Sequence, residues 1–458
     1  MVKVLTVLIA LVAAALVGVA GYFILRPPVA LLSHAGFDKA QISPNADGVD
    51  DLTPVHYELS RPAHVTIYLE GSSGQRFYFR QDERRSSGTY NVLFSGIVDG
   101  YTLPGETIPG QIERRLIPND HYTWVIEAVR DGKTSQATGT LDIVNADAAL
   151  PIISDLEINP PVFTPNQDGI RDRVDINVYL EKRANLSVYL EDANGQQFFL
   201  AEREKGREPG DMGNHEFDYD GGVDQGIQPP PDGTYAVFAV VQDAEGQRIV
   251  RQSQVTIQDG GLPQAEITPQ VTGGVVYFDH LPYNGSYYTT RDSEGKLLPY
   301  PEGVASDLST VSMVQGELLV FKLTVHNYGS TPIRTAGPFP GTVYEFDQTS
   351  ASLGAYEESG AWRIGINCDT AYSDFPWRWA LGPLDQLTTV HDDETGLTYY
   401  YLEPGQRAEV WGAIRMTKIF NARNPQYCWA GLIHEDVGIP PFQSRVGARQ
   451  IQLVPPPS

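Results

Sequence analysis

The chain has few cysteines and few basic residues for its length. Of its 458 residues, 2 are cysteine, and 33 lysines and arginines stand against 57 aspartates and glutamates, for a formal net charge of −24. A chain this acidic has no basic stripe to meet phosphates, so we expect no nucleic-acid partner. The two cysteines, Cys368 and Cys428, are candidates for a disulfide if the compartment is oxidising.

Common catalytic signatures are also missing. The sequence has no His-Glu-x-x-His, no Gly-x-Ser-x-Gly, no phosphate-binding glycine loop and no Cys-x-x-Cys. We therefore predict that the protein is not an enzyme. Because carboxylates are abundant, an unrecognised hydrolase site within residues 263–458 stays open as the alternative.

Only one hydrophobic run is long enough to span a bilayer. Residues 4–25 carry no charge, and as a helix at about 1.5 Å per residue they would span roughly the hydrocarbon core. We predict a signal anchor, that is, a transmembrane helix over residues 1–25, then a linker at 26–35. Residues 26–458 would then be extracytoplasmic, on a single-pass protein of the cell membrane. The alternative is a signal peptide cleaved near residues 18–20, which would give a secreted protein.

A nine-residue loop occurs twice, at residues 43–51 and 164–172. The constant spacing between matching residues continues well past the loops. Such an internal repeat predicts two tandem modules, over residues 36–145 and 151–259, each of ordinary domain size.

Both loops carry oxygen-bearing side chains at alternate positions, followed by a glycine and a carboxylate. This order is typical of loops that bind a hard cation, so calcium is the candidate cofactor. The alternative is a purely structural turn, in which these side chains bond to nearby backbone groups and glycine supplies a positive φ. Neither loop has the bidentate glutamate of an EF-hand. The candidate calcium ligands are Asn45, Asp47, Asp51, Asn166, Asp168 and Asp172.

Short alternating segments follow each loop. Residues 63–69 and 186–190 alternate apolar and polar side chains with period two, which indicates half-buried β-strands. Turn-forming residues recur about every 8–12 residues, and no amphipathic helix of useful length occurs. We therefore predict an all-β fold of tandem Ig-like β-sandwiches that follow the N-terminal transmembrane helix.

The order of these motifs resembles a known repeat family. The loop is followed by a strand with Tyr-Leu, a glycine turn, an aromatic-Gly segment and, in the second copy, Asp232-Gly233-Thr234-Tyr235. This order is similar to the bacterial Ig-like repeats of the flagellar hook-capping and gliding-motility-associated type. The resemblance covers residues 36–259 and implies Ig-like spacer or assembly modules on exported proteins, without any chemistry. The first copy departs from the family form at His121 and by an insertion at residues 99–117.

Residues 263–458 have no copy of the loop but keep the alternating pattern. Within them, residues 311–415 resemble bacterial cell-adhesion-type Ig sandwiches, through Val-His-Asn-Tyr-Gly at 325–329 and Leu-Glu-Pro-Gly-Gln at 402–406. Five of the six tryptophans lie in this region. Trp377 and Trp379, beside a proline, indicate either an aromatic platform for a ligand or ordinary core packing.

These patterns predict a membrane-anchored extracellular structural or adhesion protein, with an Ig-like stalk that presents a C-terminal interaction domain. The alternative is a carbohydrate- or cell-wall-binding protein that uses the aromatic-rich C-terminal domain. The expected partners are the membrane, through residues 4–25, and a surface protein or glycan.

Overall fold

A computed structural model describes residues 2–25, 30–203, 208–270, 273–286, 296–304, 310–393 and 395–457; for residues 2–7 and 20–25 it describes the backbone alone. The predicted linker at 26–35 therefore lies partly outside the described residues. Helix α1 spans Val2–Leu25. Among the described residues, no helix is both long and apolar enough to cross a membrane. The predicted transmembrane helix over residues 1–25 is therefore not supported.

The rest of the described chain is dominated by β-strands. The first unit, module 1, contains β1–β10 (Leu32–Phe37, Gln41–Ile42, Thr53–Leu59, Ala63–Glu70, Arg76–Arg85, Gly88–Phe94, Ile97–Asp99, Gln111–Leu116, Asp120–Arg130 and Lys133–Ile143). The second unit, module 2, contains β11–β18 (Ile153–Asn159, Val162–Phe163, Val174–Leu180, Asn185–Glu191, Gln197–Phe199, Gly213–Tyr219, Gly233–Gln242 and Arg248–Ile257).

The third unit is the C-terminal domain. It contains β19–β31 (Ala265–Thr268, Tyr277–Leu281, Val311–Val314, Leu318–Asn327, Ile333–Thr335, Val343–Glu345, Trp362–Cys368, Trp377–Ala380, Thr388–His391, Thr398–Leu402, Arg407–Arg415, Gln426–His434 and Val446–Val454). Single 3₁₀ turns interrupt the loops of the last two units at Val223–Gln225, Ala351–Leu353, Leu384–Gln386 and Asn421–Arg423.

One pairing scheme recurs in all three units. In module 2, β11, β13 and β16 form one sheet and β15, β14, β17 and β18 form the other, with β12 parallel to β18. Module 1 repeats this with β1, β3 and β6 against β5, β4, β9 and β10, and with β2 parallel to β10. In the C-terminal domain β19, β22 and β29 face β31, β30 and β25, and β21 runs parallel to β31. This is the arrangement of an Ig-like sandwich, so the all-β, Ig-like part of the fold prediction is confirmed.

The alternating sequence pattern becomes alternating burial, because successive side chains of a strand point to opposite faces. In β3, every second residue from Thr53 to Leu59 is buried. A tyrosine corner closes both modules. The Tyr122 hydroxyl donates to the Pro118 carbonyl at 2.8 Å, and the Tyr235 hydroxyl donates to the Pro231 carbonyl at 2.6 Å.

The insertion at residues 99–117 joins the two modules. Its strand β8 belongs to module 1 in sequence but pairs antiparallel with β18 of module 2, with Ile112 opposite Ile249. The resulting seven-stranded sheet runs in the order β15-β14-β17-β18-β8-β7, with β12 paired to β18 as the seventh strand, and it takes strands from both modules. Backbone hydrogen bonds therefore cross the junction between modules 1 and 2.

A buried glutamine completes this junction. Gln247 is fully buried, and its amide nitrogen donates to the Ala149 carbonyl at 2.8 Å and to the Asp243 carboxylate at 2.9 Å. Its amide oxygen accepts the N–H of Leu116 at 3.4 Å. One side chain thus bonds to module 1, to module 2 and to the segment between them at residues 146–150.

We expect Gln247→Ala to lower the free energy of unfolding by about 1–3 kcal/mol, because it leaves buried polar groups without a partner. Urea unfolding of the full chain measures this. The control is Gln254→Ala, at an exposed position of β18, the strand that follows Gln247; it should change the free energy by less than about 0.5 kcal/mol. Equal effects of the two substitutions would contradict the bridging role of Gln247.

Candidate functional site at the joint between module 2 and the C-terminal domain

The last aspartate of each nine-residue loop holds the loop's backbone. The Asp51 carboxylate accepts hydrogen bonds from the N–H groups of Asn45 and Ala46 at 3.0 Å and of Gly48 at 2.7 Å. These bonds hold the pKa of Asp51 below its usual value. In the second copy, Asp172 accepts from Asp168 at 3.0 Å and from Gly169 at 2.7 Å.

The other candidate calcium ligands also bond to the backbone. Asn45 Oδ1 accepts the N–H of Asp47 at 3.1 Å, and Asn166 Oδ1 accepts the N–H of Asp168 at 3.0 Å. Asp47 and Asp168 each accept the N–H two residues further on, at 2.8 Å. In the described part of the chain, no group of three or more His, Cys, Asp or Glu is placed to hold a metal. The geometry favours the structural turn, and a calcium site at either loop remains a prediction.

The two loops share one backbone conformation but lie in different surroundings. Gly48 and Gly169 have φ values of 86° and 82°. In the first copy Asp47 is exposed, as is Val49. In the second copy Asp168 is only 5% exposed, because the loop is inserted into the C-terminal domain.

Three side chains of the C-terminal domain bind the second loop; we call them the socket. The Arg334 Nε donates to the Asp168 carbonyl at 2.6 Å. The Tyr401 hydroxyl donates to the Asp168 carboxylate at 3.0 Å. His434 Nε2 lies 2.8 Å from the Gln167 carbonyl, which makes that nitrogen the donor.

Backbone contacts across the joint leave no room for larger residues. A Cβ on Gly169 would lie 2.0 Å from the Ser359 carbonyl oxygen. A Cβ on Gly360 would lie 2.2 Å from the carbonyl carbon of Asp168. Glycine is therefore required on both sides of the joint, which explains the glycine of the loop in the second copy.

A buried ion network lies behind the socket. Arg334 pairs with Glu358 at 2.9 Å. The Glu435 carboxylate accepts from Arg363 and from Arg378, both at 3.0 Å, and both Arg363 and Glu435 are buried. Breaking such a network leaves a buried charge without its partner, which is costly.

Burial shifts the pKa values of two titratable groups of the joint in opposite directions. Burial, with the neighbouring Asp172 carboxylate, raises the pKa of Asp168 to about 6. Burial lowers the pKa of His434 to about 4. The pKa of Tyr401 is raised by burial and then by the Asp168 carboxylate. At neutral pH the joint therefore holds an ionised Asp168 beside a neutral His434.

The proposed ligand platform at Trp377 and Trp379 is wrong. Both side chains are fully buried in the core of the C-terminal domain, as the packing alternative had it. Trp379 packs edge-on against Phe321 and Tyr344, with ring centroids 4.6 and 4.9 Å apart. Residues two apart on a strand share one face, and in β26 this face points into the sandwich.

The two cysteines occupy directly opposite positions on neighbouring strands. Cys368 of β25 pairs with Cys428 of β30, and the two form a disulfide with an S–S distance of 2.02 Å. This bond connects two strands of one sheet in the C-terminal domain.

The sequence reasoning missed the socket residues. Arg334 and His434 are separated from their loop partners by 166 and 267 residues. No local motif marks them. The one available signal was the run of three tyrosines at residues 399–401, in which Tyr401 lies on the face that meets the loop.

We expect EDTA to leave the melting temperature of the full chain unchanged, because the loop oxygens already accept backbone hydrogen bonds. Calorimetry should show no calcium heat. The opposite result would establish the calcium site: EDTA lowers the melting temperature, added calcium restores it, and the double variant Asp47→Asn/Asp168→Asn no longer responds to EDTA.

Asp168 and His434 give stability opposite pH dependences. Between about pH 4 and 6 the folded chain holds a proton on Asp168 that the unfolded chain has lost, so this contribution falls as the pH rises. Between about pH 4 and 6.5 the unfolded chain holds a proton on His434 that the folded chain lacks, so this contribution rises with pH. In the wild type the two slopes largely cancel.

We therefore expect the stability of Asp168→Asn to rise with pH relative to the wild type, and that of His434→Gln to fall. Each change amounts to about 3 kcal/mol across the window. Urea unfolding between about pH 4 and 7, followed by tryptophan fluorescence, measures both slopes. Variant profiles parallel to the wild-type profile would contradict the assignment.

No family model matches the chain, and no curated protein matches it significantly. Among solved structures, domains FN1–FN3 of chicken CNTN1 are 9% identical, cover 91% of this chain and 98% of that chain, and give a TM-score of 0.21. Extracellular domains 3–5 of Drosophila OTK are 9% identical, cover 94% of this chain and 99% of that chain, and give a TM-score of 0.18.

A Salmonella alpha-2-macroglobulin mutant is 12% identical over 93% of this chain, with a TM-score of 0.18. The present chain spans about a quarter of its length, since 23% of that chain is covered. These TM-scores are too low to support an argument, so the assignment to tandem Ig-like sandwiches rests on the strand pairing described above.

Proposed function

We propose that the protein is an extracellular structural or adhesion protein whose first two sandwiches form a rigid spacer that presents the C-terminal domain. The observation that carries this proposal is the insertion of the second loop into the socket of the C-terminal domain. Flexible linkers are the usual connection between domains that move independently. Here the connection is a hydrogen-bonded contact, packed so closely that only glycine fits at residues 169 and 360.

The first junction supports the same proposal. Strand β8 extends the sheet of module 2. The buried Gln247 side chain donates to the Ala149 carbonyl in the segment between the two modules. Both junctions thus restrict the rotation of one sandwich against the next. A chain of this kind holds its last domain at a constant distance and orientation from its first.

We propose further that residues 26–458 function outside the cytoplasm. The disulfide between Cys368 and Cys428 supports this placement, since disulfides persist in oxidising compartments. The carbohydrate-binding alternative loses its predicted platform, because Trp377 and Trp379 are buried. A protein partner is therefore the kind of ligand that the proposal favours.

Spin-label distances test the rigid joint. Labels at Ala193→Cys in module 2 and Asp385→Cys in the C-terminal domain, both exposed, should give one narrow distance distribution in the full chain. Arg334→Ala combined with Tyr401→Phe should broaden it, because the socket loses two of its three donors. Both native cysteines are disulfide-bonded and do not take the label.

The matched control is Arg407→Ala combined with Tyr400→Phe, on the same domain but with no described hydrogen bond to the loop. This variant should keep the narrow distribution. A broad distribution in the wild type would refute the rigid spacer, and so would a distribution that the socket variant leaves unchanged.

A further inference from the structure

Two phenylalanines of the C-terminal domain have a left-handed backbone. The φ values are 44° at Phe375 and 67° at Phe442. This conformation is unfavourable for any residue with a Cβ and is uncommon outside glycine, asparagine and aspartate. A folded protein keeps it only where something else compensates for the strain.

At Phe375 the compensation is burial. Its side chain is 4% exposed, and two glycines make room for its ring. A Cβ on Gly365 would lie 2.8 Å from Phe375, and a Cβ on Gly431 would lie 2.5 Å from it. The strained backbone thus places a large aromatic side chain in a tightly packed core.

Phe442 has no such compensation. Its side chain is 95% exposed. The N–H of Gln443 donates to the Pro440 carbonyl at 3.0 Å, which closes a turn with Pro441 in the second position and Phe442 in the third. With a positive φ at the third position this is a type II turn, where glycine or asparagine is expected. An exposed phenylalanine therefore occupies a glycine position without gaining any packing.

The turn is held firmly in place. Pro440 and Pro441 restrict its backbone. Gln443 Oε1 accepts the N–H of Ile267 at 2.9 Å, and the Gln443 carbonyl accepts the N–H of Leu432 at 3.0 Å. The backbone that carries the ring is thus restricted, so little backbone freedom remains to be lost on binding.

Arg445 follows Phe442 by three residues, and its side chain contacts Trp429 of strand β30. The Arg445 guanidinium carbon lies 4.2 Å from the ring centroid of Trp429. Arg445 is exposed, and Trp429 is half-buried. Exposed aromatic and arginine side chains are the types enriched at protein–protein interfaces.

We propose that Phe442, together with Arg445 and Trp429, is the contact site for a protein partner with an apolar pocket bordered by carboxylates. The ring fills the pocket and Arg445 meets the carboxylates. A local rule broken without benefit to folding indicates a functional position. The inference deepens the proposed function, because it rests on the C-terminal domain being the presented domain.

A protein fits this site better than a lipid or a glycan does. A single exposed ring buries little apolar area in a membrane. The Trp429 face that a sugar would stack on is already covered by Arg445.

Photo-crosslinking tests the site in the full chain on the cells that produce it. Benzoylphenylalanine replaces Phe442 in one variant and Phe199 in the other. Phe199 is a matched control, since it is 67% exposed and lies on module 2. We expect a protein adduct from position 442 and none from position 199.

The captured protein is then purified, and its affinity for the full chain is measured. Phe442→Asn should weaken binding at least about tenfold, and Arg445→Gln should also weaken it. Phe199→Ala should leave the affinity unchanged. The melting temperature of Phe442→Asn should not fall, since asparagine tolerates the left-handed backbone, so unfolding would not explain the loss.

Three results would overturn the proposal: no adduct specific to position 442, equal adducts at both positions, or a captured protein that binds Phe442→Asn as tightly as the wild type. Flotation of the chain with phosphatidylcholine vesicles, lost in Phe442→Asn, would instead assign the site to a lipid surface. The spin-label distances do not involve Phe442, so the rigid spacer and the contact site can fail separately.

Discussion

The joint to the C-terminal domain depends on a carboxylate that satisfies the backbone of its own loop. Asp172 accepts the N–H groups of Asp168 and Gly169, so the loop keeps its shape without help from outside. The Asp168 carbonyl and the second carboxylate oxygen of Asp168 then face out of the loop. Arg334 donates to the carbonyl, and Tyr401 donates to the carboxylate oxygen. If the loop N–H groups were not bonded to Asp172, they would compete with Arg334 and Tyr401 for the oxygens of Asp168. The loop would then present more than one conformation to the socket.

The two copies of the loop have the same conformation but make different contacts. The same backbone and the same internal bonds occur in both copies, yet the second copy alone is buried by the next domain. What differs is the surrounding protein. After module 1, the inserted strand β8 makes the connection by sheet extension; after module 2, the loop itself makes it. A conserved local conformation thus supports two kinds of junction.

The sequence predicted the fold better than the site, for physical reasons. Period-two alternation and the repeated loop depend on neighbouring residues, so they led to β-sandwiches and to a loop whose side chains bond to its own backbone, where calcium binding stays a prediction. The joint depends on contacts across more than 100 residues, for which Arg334 and His434 carry no local signal. The error at Trp377 and Trp379 has another cause: alternation shows that two residues share a face but not which face is covered.

The shared sheet also determines where the chain can be divided. A cut between residues 145 and 151 separates module 2 from β8, although β8 covers Ile249 and Val250 of β18. The freed edge would present unpaired backbone donors and acceptors beside apolar side chains, a known route to aggregation. A fragment that begins at residue 151 is thus an incomplete sheet.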